Sequence, residues 1–211
     1  QLQIRVVALN HIDVWGWRGM AFAKRKLPLT VGAEASAVVT AIGPGVSNVK
    51  TGDLVSIYGA QICGKCRPCR EGRHNHCVSP KGVHGFHLDG YAREYANMPA
   101  YNVVPAPDGV DDIGAALAPV TFGTCEHMLF DNAKLESGET VLVHAGGSGI
   151  GSAAIQLAKK IGCTVITIPG PPPYGVSSTF PCLSLVNDRR SCDEIWISFF
   201  FCARPRIDSP V

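Results

Sequence analysis

Residues 141–151 read VLVHAGGSGIG, and they predict the fold of the second half of the chain. Thr140 to His144 is an apolar run, as expected for a parallel strand buried on both faces. The glycine-rich turn that follows opens a segment, Ile150 to Ile161, whose apolar residues recur at helical spacing. Cys163 to Ile168 is a second apolar strand. The stretch therefore predicts a strand–turn–helix–strand unit of a parallel α/β fold.

The turn has the sequence context of a dinucleotide-binding loop. Backbone N–H groups at the start of a helix can bind a pyrophosphate, and glycine lets it approach closely. The spacing departs from G-x-G-x-x-G, because Ser148 stands where the middle glycine is expected, and an ordinary tight turn is the alternative. Pro169 and Gly170 follow the second strand, so nothing there selects NAD over NADP. The predicted cofactor-binding residues are Gly146, Gly147, Ser148, Gly149, Ile150 and Gly151.

The first half of the chain is rich in short strands. Gln3 to Leu9, Ala35 to Ile42 and Leu54 to Tyr58 are predicted strands separated by glycine and proline turns, which favours an antiparallel, barrel-like arrangement. Tyr91 to Val104 returns to strand character. Two helices are then predicted, one capped by Asp111 or Asp112 and ending at Leu117, the other from Thr124 to Leu135.

Between these strands lies a segment dense in cysteine, histidine and basic residues. Its cysteines follow the pattern C-x2-C-x2-C-x7-C, at Cys63, Cys66, Cys69 and Cys77. Four thiolates at such short spacing are the ligand set of a structural zinc site, which leaves no open coordination position. Surface thiols or disulfides are the alternative. The spacing predicts a structural zinc, with Lys65, Arg67, Arg70 and Arg73 offsetting the charge of the thiolates.

Composition limits the other functions. Hydrophobic residues make up 46% of the 211 residues and the net charge is +2, so charge gives no reason to expect a nucleic-acid or membrane partner. No apolar run approaches the roughly 20 residues of a membrane helix. Nine cysteines without the even spacing of a disulfide scaffold favour metal binding and a cytoplasmic location.

The cysteine segment followed by the glycine-rich turn resembles the medium-chain dehydrogenase/reductase family. Further stretches agree with it, namely residues 8–13, 32–35, 43–46, 52–55, 90–95 and 151–159. The resemblance covers about residues 1–168. It implies a GroES-like β-barrel domain over residues 1–135 with the zinc lobe at 61–90. It implies also the start of a Rossmann nucleotide-binding domain over 136–168.

The resemblance also bears on the chemistry. Alcohol dehydrogenases of the family hold a catalytic zinc through Cys, His and Cys, and the matching positions here are Asn10, Ala33 and Val120, which cannot bind zinc in that way. Quinone-reductase-like members also carry Asn at the first position. The resemblance therefore implies NADP- or NAD-dependent hydride transfer to a quinone or enone carbonyl substrate without catalytic zinc. Asn10 and Thr124 are the candidate contacts to acceptor or nicotinamide, although Asn10 could instead satisfy a turn.

Residues 169–211 do not resemble the family and are predicted to be a linker and an atypical tail. Since only two Rossmann strands precede them, we expect cofactor binding to be weak or absent in this chain. A non-catalytic zinc-bearing interaction module left by truncation is the alternative function. The resemblance leaves two assemblies open, namely a homodimer and a pair formed with a full-length relative.

Overall fold

The computed structural model describes residues 1–19 and 27–168, together with the backbone of Ser184–Leu185. The chain divides into two compact units, Gln1–Val120 and Thr121–Val211. The incomplete parallel unit after a β-rich first unit agrees with the predicted fold class.

A five-stranded sheet forms the centre of the first unit. Its strands are β1 (Leu2–Ala8), β2 (Glu34–Val39), β3 (Leu54–Ile57), β6 (Tyr95–Ala96) and β7 (Val103–Pro105). Their order in the sheet is β6-β1-β2-β3-β7, and the pairs along it are antiparallel. β2 is central and nearly all of it is buried, which its small residues Ala35 and Ala37 allow. The sheet packs around a core that includes Leu2, Val39, Val55, Ile57 and Tyr91.

The predicted strand from Tyr91 to Val104 is wrong in its extent. The structure has two short strands, β6 and β7, separated by a 3-10 turn at Ala100–Asn102. Pro99 precedes that turn and has no N–H to donate to a neighbouring strand, so the ladder stops there.

Short elements surround the sheet. The cysteine segment contains β4 (Ala60–Gln61), helix α2 (Arg67–Arg70), a 3-10 turn (His74–His76) and β5 (Gly82–Val83), and β4 pairs with β5. Helix α1 (His11–Arg18) follows β1 directly, because Asn10 and Asp13 form a capping box at its first turn. Helix α3 (Asp112–Leu117) is capped by Asp111, whose Oδ1 accepts the N–H of Gly114 at 2.7 Å.

The helix predicted from Thr124 to Leu135 is shorter and less regular in the structure. Helix α4 (Gly123–Glu126) lies between two π-helical segments, Ala118–Phe122 and His127–Asn132. The single helical period assumed from sequence therefore holds for only four residues.

The second unit contains the predicted parallel pair. β8 (Thr140–His144) and β9 (Thr164–Ile168) are parallel and joined by helix α5 (Gly149–Lys160), and Ser184–Leu185 forms β10 beside β9. β8 was expected to be buried on both faces. Instead Val141 and Val143 are buried among the α5 side chains while Leu142 is exposed, because α5 covers one face.

Candidate functional site

The four cysteines of the zinc motif converge in the first unit. The Sγ atoms of Cys63, Cys66, Cys69 and Cys77 all lie within 4.8 Å of one another. A tetrahedral zinc with Zn–S bonds of about 2.3 Å places its sulfurs about 3.8 Å apart. The Cys63–Cys69 Sγ distance is 3.9 Å and the Cys66–Cys69 distance is 3.3 Å. The cluster thus has the size and ligand chemistry of a tetrathiolate zinc site.

Backbone amides of the loop prepare the thiols to bind a cation. The N–H of Cys66 donates to Cys63 Sγ, and the N–H of Cys63 donates to Cys77 Sγ, each at 3.4 Å. Hydrogen bonds from the backbone of Lys65 and then Cys66 lower the pKa of Cys63 to about 6. Burial raises the pKa of Cys69 to about 12, so that thiol ionises only when a cation is close.

The arginines expected to offset the charge of the thiolates make hydrogen bonds within the lobe. Arg67 Nε donates to Glu71 Oε1 at 2.6 Å, Arg73 also binds Glu71, and Arg70 donates to the carbonyl of Lys65 at 3.1 Å. Hydrogen bonds from Arg73 and Arg67 lower the pKa of Glu71. These guanidinium groups therefore hold the surface of the lobe together, and the backbone amides are what contact sulfur.

A second polar cluster, the Glu34 pocket, contains Asn10, Asp13, Gly32, Glu34 and Val120. The Glu34 carboxylate is buried: its Oε2 accepts the side-chain N–H of Asn10 at 2.9 Å, and its Oε1 accepts the backbone N–H of Val120 at 2.8 Å. Two of the three positions that the resemblance matches to catalytic-zinc ligands thus bond to one carboxylate. The third, Ala33, precedes Glu34 and is buried as well.

Asp13 supports the same pocket from α1. Its Oδ2 accepts the backbone N–H of Asn10 at 2.8 Å and its Oδ1 accepts that of Gly32 at 2.7 Å. Gly32 has φ +98°, and a Cβ there would lie 2.7 Å from Val7 Cγ1, so only glycine fits. The carboxylates of Asp13 and Glu34 therefore fix backbone and amide groups, and the pocket has no thiol or imidazole at the three aligned positions.

The two candidate catalytic residues have different surroundings. Asn10 is the N-cap of α1, and its side-chain N–H groups donate to Glu34 and to the carbonyl of Ala8 at 3.4 Å. Both donors are engaged, which is the arrangement expected if Asn10 organises the turn. Thr124 lies on α4 in the second unit with an exposed side chain.

Cys125, next to Thr124, is buried, and its thiol donates to the carbonyl of Ile150 at 3.2 Å. Burial raises the pKa of Cys125 to about 11, so this thiol is unsuited to act as a nucleophile at neutral pH.

The glycine-rich turn lies between β8 and α5, as its sequence predicts. Ser148 is the N-cap of α5, and its hydroxyl accepts the N–H of Gly151 at 2.9 Å. A Cβ at Gly146 or Gly151 would collide with Thr167 or with the carbonyl of Ala145, so both glycines are required by packing alone. The amides of Gly149 and Ile150, which a helix leaves without an intrahelical acceptor, are the donors suited to a phosphate.

Sequence reasoning missed a buried polar group of the first unit. His84, Tyr91 and Asn102 are buried in the first unit, and His84 stacks on Tyr91 with ring centroids 5.1 Å apart. No motif marks these residues, since each becomes notable only when the fold removes it from solvent.

None of the helices in the described part of the chain is long and apolar enough to cross a bilayer.

Comparison with known proteins identifies the family. The family model of the alcohol dehydrogenase GroES-like domain matches residues 1–108. An L-threonine 3-dehydrogenase of Sinorhizobium medicae is 36% identical over 172 residues, which are 79% of this chain and 48% of the relative. One from Bacillus velezensis is 31% identical over 166 residues, covering 79% of this chain and 47% of the relative.

Solved structures agree. The crystal structure of an NAD-dependent alcohol dehydrogenase superposes with a TM-score of 0.72 at 40% identity, covering 81% of this chain and 49% of the other. A thermostable alcohol dehydrogenase from Pyrobaculum aerophilum gives 0.69 at 32% identity, with 79% and 49% covered. The chain belongs to the alcohol dehydrogenase GroES-like family and is a medium-chain dehydrogenase/reductase. It spans about half the length of the curated relatives it matches.

Proposed function

We propose that this chain belongs to an NAD(P)H-dependent oxidoreductase that delivers hydride to a quinone or an α,β-unsaturated carbonyl without a catalytic zinc. The observation that carries the proposal is the Glu34 pocket. Asn10, Ala33 and Val120 offer no ligand that binds zinc as Cys and His do, and two of them are bound to the Glu34 carboxylate.

The chemistry of the acceptor follows from that ligand set. Oxidation of an alcohol requires loss of its hydroxyl proton, which a bound zinc makes easier by lowering the pKa. Reduction of a quinone or enone starts from an electrophilic acceptor and has no such requirement. A reduced nicotinamide supplies the hydride, and the acceptor takes a proton from water.

The chain's own residues have three tasks in this proposal. The amides of Gly149 and Ile150 bind the cofactor pyrophosphate. Glu34 and Asp13 hold Asn10 in one orientation beside the acceptor. The four cysteines hold a structural zinc, which orders the lobe at 61–90 and takes no part in the reaction.

Two other functions have some support. The names of the relatives favour oxidation of L-threonine or another alcohol, but the residues at positions 10, 33 and 120 do not fit a zinc that would assist it. A non-catalytic zinc-bearing interaction module is supported by the four-cysteine cluster, which could order the lobe without taking part in a reaction. Binding of a nicotinamide cofactor would distinguish the two candidate enzymes from this module.

The first experiment is a titration of the purified chain with NADPH, followed by fluorescence, with zinc quantified on the same sample. The proposal predicts about one zinc per chain and weak but saturable binding of NADPH. It predicts also that NADPH is consumed with 1,4-benzoquinone or an enone, whereas NAD⁺ is not reduced with L-threonine. One zinc without cofactor binding favours the interaction module, and a threonine-dependent reaction contradicts the proposal.

Gly149→Ala tests whether the cofactor uses the turn. A Cβ at Gly149 meets nothing within 4 Å, so the fold tolerates it, yet the methyl group stands at the helix start where a phosphate would approach. We expect NADPH affinity to fall by about tenfold, a free-energy change of about 1.4 kcal/mol. Gly43→Ala, also in open space, is the matched control and should leave affinity unchanged. Equal affinities in both variants would exclude the turn as the binding site.

A further inference from the structure

Aspartate is followed directly by glycine at two places in the chain, Asp89-Gly90 and Asp108-Gly109. Such a pair can react with itself, because the backbone nitrogen of the glycine can attack the carboxyl carbon of the aspartate and close a five-membered ring. Glycine has no Cβ to shield its nitrogen, so it permits this approach better than other residues. Which of the two pairs reacts depends on how firmly the fold holds the carboxyl group and the amide.

The fold holds both reacting groups of the first pair. The N–H of Thr30 donates to Asp89 Oδ1 at 3.0 Å, and the N–H of Gly90 donates to the carbonyl of Thr30 at 2.8 Å. The carbonyl oxygen of Asp89 lies 2.5 Å from His84 Nδ1, and Gly90 is buried. Ring closure at Asp89 would therefore break hydrogen bonds at the carboxylate and at the amide, in the loop that supports the Glu34 pocket.

The second pair lies in an exposed β-turn. The N–H of Val110 donates to the carbonyl of Pro107 at 3.2 Å, which encloses the pair as the two central residues of the turn. Gly109 has φ +83°, as the third residue of a type II turn requires. Asp108 and Gly109 are both exposed, and a Cβ at Gly109 would meet nothing within 4 Å. The carboxyl group and the amide can therefore approach each other without loss of packing or of the turn's hydrogen bond.

We propose that Asp108 is a site of spontaneous isomerisation to isoaspartate. The Gly109 nitrogen bonds to Cγ of Asp108, the Cγ–OH bond breaks, and the hydroxyl leaves as water with the proton of the nitrogen. Water then opens the succinimide ring. Attack at Cγ restores aspartate, whereas attack at the backbone carbonyl carbon breaks its bond to nitrogen, so that the chain runs through Cβ and Cγ. One water is released and one is consumed, and no oxidant or reductant is needed.

The product is the substrate of a particular class of enzyme. Isoaspartate has a free carboxylate on its α-carbon, which no ordinary residue within a chain has. A protein isoaspartyl methyltransferase esterifies this carboxylate, as the bond from the methyl group to the sulfur of S-adenosylmethionine breaks and a bond to a carboxylate oxygen forms. The exposure of the turn gives such an enzyme access to position 108 in the folded chain.

Isomerisation should leave the rest of the fold in place. Helix α3 begins after the turn and is held to the sheet by two serine hydroxyls. Ser36 Oγ donates to the carbonyl of Asp112 and Ser56 Oγ to that of Ala115, each at 2.7 Å. Since neither bond involves the turn, the extra methylene in the backbone at position 108 alters the turn alone, and the product accumulates as folded protein.

The test compares the two pairs within one sample. The zinc-loaded chain is incubated in mildly acidic buffer, because the hydroxyl leaves from a protonated carboxyl group. Isoaspartate is then located by peptide mass spectrometry and by transfer of a labelled methyl group from S-adenosylmethionine. In the folded chain we expect about ten times more isoaspartate at Asp108 than at Asp89, a difference of about 1.4 kcal/mol in the barrier. In urea the two positions should react at similar rates, because the fold no longer protects Asp89.

Asp108→Glu keeps the charge of the turn but would have to close a larger ring, so the methyl transfer to the folded chain should fall to background. Asp131→Glu, which changes another exposed aspartate, is the matched control and should leave the isoaspartate at Asp108 unchanged. A folded chain without isoaspartate at Asp108, or with as much at Asp89, would overturn the proposal.

Discussion

The cysteine lobe and the Glu34 pocket are both polar clusters of the first unit, but they are built differently. The lobe takes its four sulfurs from fifteen consecutive residues, 63–77, and presents them to a common centre. The pocket joins residues far apart in sequence, with a carboxylate that accepts from Asn10 and from Val120. The lobe is therefore determined by the local spacing of its cysteines, whereas the pocket depends on the tertiary fold.

The strongest test of this contrast removes one thiol from the lobe. Cys69→Ser takes away the ligand that is most buried, so zinc should fall from about one per chain to near zero after dialysis, with destabilisation of several kcal/mol. Elemental analysis and thermal unfolding measure the two effects. Cys163→Ala, which removes a buried thiol of the second unit, should retain zinc. If Cys69→Ser keeps its zinc, the cluster is not a four-thiolate site.

The converse test adds ligands to the Glu34 pocket. In the triple variant Asn10→Cys, Ala33→His, Val120→Cys, we expect zinc to rise from about one to about two per chain. The backbone of Val120 is held by Glu34, that of Asn10 is held by Asp13, and Ala33 adjoins Glu34 in the sequence. The control Asn10→Ser, Ala33→Gln, Val120→Ser has side chains of similar size and should stay at one. A folded triple variant with a single zinc would show that the three positions do not converge.

The convergence of the four cysteines could be predicted from the sequence because it depends on residues close together in the chain. The spacing of four cysteines restricts where the sulfurs can lie, and the structure brings them within 4.8 Å of one another. The turn at 145–151 is local for the same reason, and both its strands and its helix lie where the pattern predicted. Ser148 is the exception, since its use as a helix cap depends on the contact with Gly151.

The Glu34 pocket could be predicted only in part. The resemblance indicated positions 10, 33 and 120. The hydrogen bonds that join Asn10 and Val120 to Glu34 span 24 and 86 residues of sequence, and they follow from the fold. The role of Asn10 as a helix cap and the buried group of His84, Tyr91 and Asn102 depend equally on tertiary structure. Residues 169–211 were predicted to be a linker and tail, and all of them but the short strand β10 lie outside the described residues.

A smaller effect is expected when the carboxylate of the pocket is removed. Glu34→Ala leaves the side-chain N–H of Asn10 and the backbone N–H of Val120 without their acceptor, which should cost about 3 kcal/mol in free energy of unfolding. Glu34→Gln retains one acceptor oxygen and should cost roughly half as much. Chemical denaturation with zinc measured in parallel gives both values. Equal stability of the two variants would mean that these two hydrogen bonds do not hold the pocket together.

The smallest expected effect is on the stability of the protein at acidic pH. Burial, and then the charge of Arg93, lowers the pKa of His84 below its usual 6.5, while the carbonyl and charge of Asp89 oppose the change. The unfolded chain therefore binds the proton more readily, and the contribution of His84 to stability is complete above pH 6.5 and decreases as pH falls below it. His84→Asn keeps a donor for the carbonyl of Asp89 but cannot be protonated. The slope of the free energy of unfolding against pH below 6.5 should therefore be smaller in this variant.

Zinc must be followed at each pH, because protonation of thiolates releases zinc from the lobe by a separate route. Loss of stability before loss of zinc would locate the first acid-sensitive step at the loop that supports the Glu34 pocket. If zinc leaves first and His84→Asn does not change the slope, the lobe is the weaker of the two regions in acid.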